Sequence, residues 1–245
     1  MAILPELASA DAINRNILAI YDNSFEATPS DTMIHMNAEM PLNHLGYVLR
    51  YHDLQDGPPT LEATRDVVAV LTMFTYNVED TEAYFGWLDE AAKTVPRILI
   101  LGEFGGPLTP GSRRRVNRVL ERMGLTLTSE FVSSITSSQV TRIDPSIIGF
   151  ESDLDPVPPE HSVVSRLGED ARVALEYEAD ILGRTMRSVA VATGPGGGYV
   201  AGPFVLHFDP VLEIKRWIVN PFEFFGRALQ AEPFPIPGRH RIVWC

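Results

Sequence analysis

Val67-Val68-Ala69-Val70-Leu71-Thr72-Met73-Phe74 is an almost unbroken apolar run of strand length. Runs of this kind belong to parallel strands covered on both faces, because a half-solvated strand would alternate apolar with polar residues. Working outward, Asn16-Ile17-Leu18-Ala19-Ile20-Tyr21-Asp22 and Arg97-Ile98-Leu99-Ile100-Leu101 have the same character, and residues 47–54 read as a further strand. Between them lie helical patterns. Residues 31–45 are helix-like, with Gly46 placed as the stop. Asn77 is placed to cap a helix whose apolar face is Tyr84, Leu88, Ala91 and Val95. Residues 111–123 put Val116, Val119, Leu120 and Met123 on one side. Four strands separated by helices predict a parallel sheet with right-handed crossovers.

The rhythm changes near residue 125. Residues 126–141 are rich in Thr, Ser and Val, and residues 172–178 alternate with period two. Residues 188–192, 199–208 and 213–219 read as further strands joined by Gly- or Pro-containing turns. Asn220-Pro221 opens a helix with Phe222, Phe225 and Leu229 on one face. The expected fold class is α/β. A flavodoxin-like or glutamine-amidotransferase-like parallel half spans residues 14–125, and a mostly antiparallel β-rich half spans 126–231. Whether the halves share one sheet stays open. Residues 232–245, with Pro233, Pro235 and Pro237, read as a linker, and Arg241-Ile242-Val243-Trp244 as the start of a following domain.

The 245 residues carry a net charge of −12, which argues against nucleic acid as a partner and is compatible with a neutral or cationic ligand. The single cysteine, Cys245, excludes an intramolecular disulfide and a cysteine-ligated zinc site. No apolar run approaches the roughly 20 residues of a membrane-spanning helix. The first residues lack the basic segment of a secretory signal.

In open parallel sheets, ligands bind at the carboxyl ends of the strands. The polar groups expected there are Asp22, Asn23 and Ser24, then Asp53, then Thr75, Tyr76 and Asn77, then Glu103 and Phe104. Asp22 and Glu103 form a candidate acid/base pair; the competing reading is that they cap helices or satisfy loop amides. The loop 101–106 falls where amidotransferase-like folds carry functional loops, yet no cysteine nucleophile is available there. Gly194-Pro195-Gly196-Gly197-Gly198 precedes a strand rather than a helix, so it reads as a hairpin turn and not a phosphate loop. His35, His44 and His52 lack metal-pair spacing, while His207 and Asp209 share a strand face. Arg113, Arg114, Arg115, Arg118 and Arg122 make a basic stripe on one helix, read as a solvated face or a docking surface. No metal and no cofactor are expected. A flavin or nucleotide would seat on the first-strand loop and on Thr75-Tyr76-Asn77.

Ala38-Glu39-Met40-Pro41-Leu42-Asn43-His44-Leu45-Gly46-Tyr47, running on to Arg50-Tyr51-His52-Asp53, resembles a segment of PelA-type proteins, which process the exopolysaccharide Pel. Residues 16–22 resemble the first strand of that segment. Trp217-Ile218-Val219-Asn220-Pro221-Phe222-Glu223-Phe224-Phe225 resembles its closing motif, upstream of a polysaccharide deacetylase domain. The resemblance implies a periplasmic, multidomain parent with hydrolase and deacetylase activities on aminosugar polymers. This segment would then be an oxidoreductase-like accessory piece between the two. None of that family's catalytic motifs maps onto a position here. The expected function is therefore scaffolding or glycan contact, with a flavin- or nucleotide-dependent oxidoreductase and a carboxylate hydrolase as alternatives. Ligand contacts would come from Asp22, Asn23, Asp53, Tyr76, Asn77, Glu103 and Phe104.

Overall fold

The three apolar runs and the segment 47–54 become four parallel strands: β1 (Asn16–Tyr21), β2 (Val48–Asp53), β3 (Ala69–Thr72) and β4 (Arg97–Gly102). The structure, a computed structural model, describes residues 14–132, 138–151, 161–181 and 184–230. The expected linker at 232–245 lies outside the described residues. β1 shows why its run needs no alternation. Ile17 and Ala19 enter one core and Leu18 and Ile20 the other, so both faces of the strand are dry. The helices α2 (Thr81–Ala91) and α3 (Pro110–Glu121) close one side of the sheet. A helical segment that opens at residue 34 and ends in α1 (Met40–His44), together with α4 (Pro221–Ala228), closes the other.

The remaining strands are β5 (Leu125–Val132), β6 (Ser138–Arg142), β7 (His161–Arg166), β8 (Arg172–Ile181), β9 (Arg184–Gly194), β10 (Gly197–Ala201), β11 (Leu206–Asp209) and β12 (Ile214–Trp217). The two halves share one sheet. The order β2-β1-β3-β4-β10-β9-β8-β6 is one eight-stranded sheet. β10 runs parallel to β4 and antiparallel to β9, so the parallel and antiparallel strands meet within one continuous sheet. The first five strands in that order reproduce the flavodoxin arrangement 2-1-3-4-5, with β10 as the fifth. β5 with β7, and β11 with β12, form two separate antiparallel pairs. Among the described residues no helix is long and apolar enough to cross a membrane.

The glycine-rich segment forms the expected hairpin turn, with Gly194 opposite Gly197. Gly197 has φ +135°, and a Cβ there would lie 1.9 Å from the Ile98 carbonyl oxygen. Glycine is what lets β10 close against β4.

Several expectations are corrected. Residues 34–39 wind as a π-helix, and only Met40–His44 is α-helical. Pro41 sits in that last turn with no N–H to give to residue 37, and the wider coil upstream accommodates the missing bond. Gly46, at φ +82°, still ends the helix, with bonds from Gly46 N–H to Asn43 O (2.9 Å) and from Tyr47 N–H to Leu42 O (3.0 Å). The cap of α2 is Asp80, which accepts from Ala83 N–H at 3.0 Å, and not Asn77; the expected buried face is correct. Residues 199–208 are not one strand. A 3-10 turn, Gly202–Phe204, separates β10 from β11, because Pro203 has no N–H for a ladder. On α4 the buried face is Phe224, Phe225, Ala228 and Leu229, with Phe222 only half-buried. Asn220 caps it as expected, accepting from Phe222 N–H (3.1 Å) and Glu223 N–H (3.3 Å).

Most of the arginine stripe is committed internally. Arg113 donates to the Thr128 carbonyl, Arg115 pairs with Glu82 at 2.8 Å, and Arg122 donates to Val95 O and Pro96 O at 2.9 Å each. Arg118 grips Asp89 with two bonds, 2.6 and 2.5 Å. These contacts staple α3 to α2 and β5. Asp89 is buried while half of the Arg118 side chain is solvated, so a double-mutant cycle with Arg118→Ala and Asp89→Ala should give a coupling of about 1 kcal/mol. Denaturant titration of the four proteins reads it. A coupling near zero would show the bidentate pair to be ornamental.

Candidate functional site

The loops at the carboxyl ends of β1 and β3 meet at the switch point where a flavodoxin-type sheet holds its ligand. Asp22, directly after β1, is fully buried there. Its Oδ1 accepts from Ser24 N–H and from Gln55 Nε2, each at 3.0 Å, and its Oδ2 accepts from Glu79 N–H at 2.8 Å. Burial pushes this carboxyl up, but the amides of Glu79 and Ser24 and the Gln55 side chain outweigh it, so the pKa falls below the usual aspartate range. Asp53, ending β2, accepts from Asn23 N–H (3.1 Å) and from Gln55 N–H (3.0 Å). Glu26 accepts from Met33 N–H at 2.7 Å and from Tyr76 Oη at 2.6 Å. Burial and the Glu26 carboxylate push Tyr76 far above the ordinary tyrosine value. The Tyr76 ring stacks on Phe25 with centroids 4.4 Å apart.

Asp22, Asn23, Asp53 and Tyr76 are thus brought together, with Ser24, Glu26, Gln55 and Glu79 as their partners. The chemistry of this cluster is self-satisfying. The amides of Asn23, Ser24, Met33 and Glu79 are already given to the protein's own carboxylates, and these are the donors a phosphate would need. Asn77 stays on the exposed part of its loop.

Glu103 lies elsewhere. Its N–H bonds to Phe74 O at 2.8 Å, and Gly102 before it has φ +95°, with Phe74 O 2.3 Å from where a Cβ would sit. The tight turn sends the Glu103 side chain over Gly202, whose added Cβ would meet Oε1 at 2.8 Å. Phe104 stacks on the buried Tyr199, with centroids 5.7 Å apart and planes 4° apart. Together with Arg113, Phe131 and His161 these residues line a cleft of about 360 Å³. The residue as a whole is solvent-accessible, but its carboxyl is packed closely enough that desolvation raises its pKa. Among the described residues no side chain or amide bonds to that carboxyl. Among the described residues Asp22 and Glu103 share no hydrogen-bond partner, so the geometry gives no support to their working as an acid and base on one substrate.

Phe131 and His161 were not singled out by the sequence. They come from β5 and β7, and only the folding of that antiparallel pair against β9 carries them to the β4 crest. A lone aromatic within the Thr- and Ser-rich stretch 126–141 was the one available signal for Phe131. The His161 ring meets Tyr177 edge-on at 4.6 Å.

The other histidines have separate partners. His35 Nδ1 contacts Glu39 Oε2 (2.5 Å), which also accepts from Tyr51 Oη (2.7 Å). His52 bonds the Gly57 carbonyl at 2.7 Å, and His44 packs edge-on against Phe222. Asp209 accepts from Val211 and Leu212 N–H rather than joining His207 in a site. Among the described residues no three His, Cys, Asp or Glu side chains converge as a metal site would require.

The sequence matches no family model and no curated protein. Function must therefore be argued from the two crest clusters themselves. One is saturated with internal bonds. The other offers an open cleft, aromatic walls and a carboxylate that meets no partner among the described residues.

Proposed function

We propose that the chain is a non-catalytic accessory domain of a Pel-like exopolysaccharide-processing protein, contacting glycan between hydrolase and deacetylase domains in the periplasm. The observation that supports it is the Glu103 cleft. Its flat aromatic surfaces suit the apolar face of a sugar ring, and its carboxylate suits hydroxyl or ammonium donors of an aminosugar. The saturated state of Asp22 speaks against a two-carboxylate hydrolase, which needs both groups facing one bond. The spent loop amides speak against the flavin or nucleotide alternative. The resemblance at residues 38–53 and 217–225 supplies the glycan context.

The test is binding of a partly deacetylated aminosugar polymer by the purified chain, followed by affinity electrophoresis and by reducing-end release. Retardation without turnover is expected. Glu103→Gln should weaken it about tenfold, as loss of one charge-assisted bond does. Because burial raises the Glu103 pKa, polymer binding should begin to fall on acidification above the ordinary glutamate range, and this dependence should vanish in Glu103→Gln. Unretarded migration of the wild-type protein would reject the reading.

A further inference from the structure

A second cavity lies beside the Glu103 cleft, across the backbone of Gly102 and Gly202, which line both. It occupies about 160 Å³ at the carboxyl ends of β3 and β4, beneath the β11–β12 hairpin. Its floor is buried and apolar: Met33, Met73, Phe74, Leu101 and Val205 are each less than a tenth exposed. Its rim carries Thr75, Phe208 and Lys215. Phe208 and Lys215 are cross-strand partners, so they stand side by side on one face of the hairpin. Among the described residues Lys215 is the sole charged one of the lining. Among the described residues its Nζ meets no carboxylate or carbonyl; its partner is the Met33 thioether, with Sδ at 3.2 Å.

An ammonium at the rim of an apolar cavity, held among the described residues by a weak thioether acceptor, has donor capacity to spare. We infer that this cavity binds a small aliphatic monocarboxylate, with its tail among Met33, Met73, Leu101 and Val205 and its carboxylate on Lys215. The orientation follows from burial, since the floor has no polar side chain to receive a head group and the rim has the cation. Glu103 reinforces it, because its carboxylate beyond the Gly102–Gly202 partition disfavours a second negative charge on that side. The volume sets the size. It equals about five waters at liquid density, the bulk of a branched chain of roughly four or five carbons. Methionines in the floor suit such a ligand, since unbranched thioethers adapt to irregular apolar shapes. The site is separate from the glycan reading and needs neither the aromatic walls nor the carboxylate of the neighbouring cleft.

The experiment titrates the purified chain with 4-methylpentanoate and with its neutral isostere 4-methylpentanamide, using ligand-observed NMR and calorimetry. The acid should bind saturably and at least about tenfold more tightly than the amide. Lys215→Met, on an exposed strand where folding is not at risk, should abolish that preference, and Lys215→Arg should keep it. Glu103→Gln should leave acid binding intact, so failure of the glycan reading and failure of this one are separable. Equal affinity for acid and amide, an unchanged preference in Lys215→Met, or no saturation up to about 10 mM would overturn the inference.

Discussion

Gly197→Ala should destabilise the protein by about 3–5 kcal/mol, more than any surface change in the chain. The added methyl would lie 1.9 Å from Ile98 O and 2.7 Å from Ile98 C, and both atoms are backbone in the middle of the sheet. No side-chain rotation relieves such a contact. The residue also needs φ +135°, which an L-residue with a Cβ rarely adopts. Relief requires β10 to move off β4, and that breaks the ladder from Gly197↔Ile98 to Ala201↔Gly102 as well as the bond from Ile98 N–H to Gly196 O. Among the described residues β10 is the strand that joins the parallel layer to the antiparallel one, so the damage should spread through both cores. Gly168→Ala is the control. That residue has no unusual φ and open space around it, and the change should fall within about 1 kcal/mol of wild type. Equilibrium urea unfolding of both variants measures the contrast. Equal midpoints would mean that the β4–β10 junction is not the tight seam described here.

That junction also marks where the sequence stops being readable. β1, β3 and β4 were legible because a strand buried on both faces writes itself as an apolar run, whatever its neighbours are. β10 is five residues long, begins with two glycines, and pairs with a strand about a hundred positions earlier. Its local pattern shows a hairpin with β9, while its parallel partner is set by tertiary closure that leaves no periodic trace. The same division runs through the crest. Asp22 and Asp53 could be placed at strand ends by counting, but their partners Gln55 and Glu79 depend on how two loops fold over them. Glu103 and Phe104 were visible after β4. The cleft they border was not, since Phe131, His161 and Tyr199 arrive from three later strands. Asn77 illustrates the opposite error. It has the chemistry of a helix cap, yet Asp80 takes that role because Val78 is pinned by its N–H to Gly105 O at 2.9 Å, which starts the helix later.

Asp22→Ala should cost about 3 kcal/mol, because it strands two part-buried backbone amides and the Gln55 side-chain amide, which share one buried carboxylate. Asp22→Asn should cost less, since one side-chain oxygen survives while the new NH2 faces a donor. The pH dependence separates charge from shape. The folded-state pKa of Asp22 lies below its ordinary value of 3.8, so its ionisation stabilises the fold above that value, and the contribution is lost as pH falls through the folded-state pKa. The stability gap between wild type and Asp22→Asn should therefore be full at neutral pH and close progressively below about 4. Asp89 and Asp144 are also depressed and will steepen the acid loss in both proteins, which is why the difference between them is the quantity to follow. The variant also tests the assignment of roles at the crest. A destabilised Asp22→Asn that still retards the aminosugar polymer like wild type places Asp22 in the framework and leaves binding to the Glu103 cleft. Unaltered stability with polymer binding lost would move the site to the β1–β3 switch point, and the donors now counted as spent would have to be released to ligand.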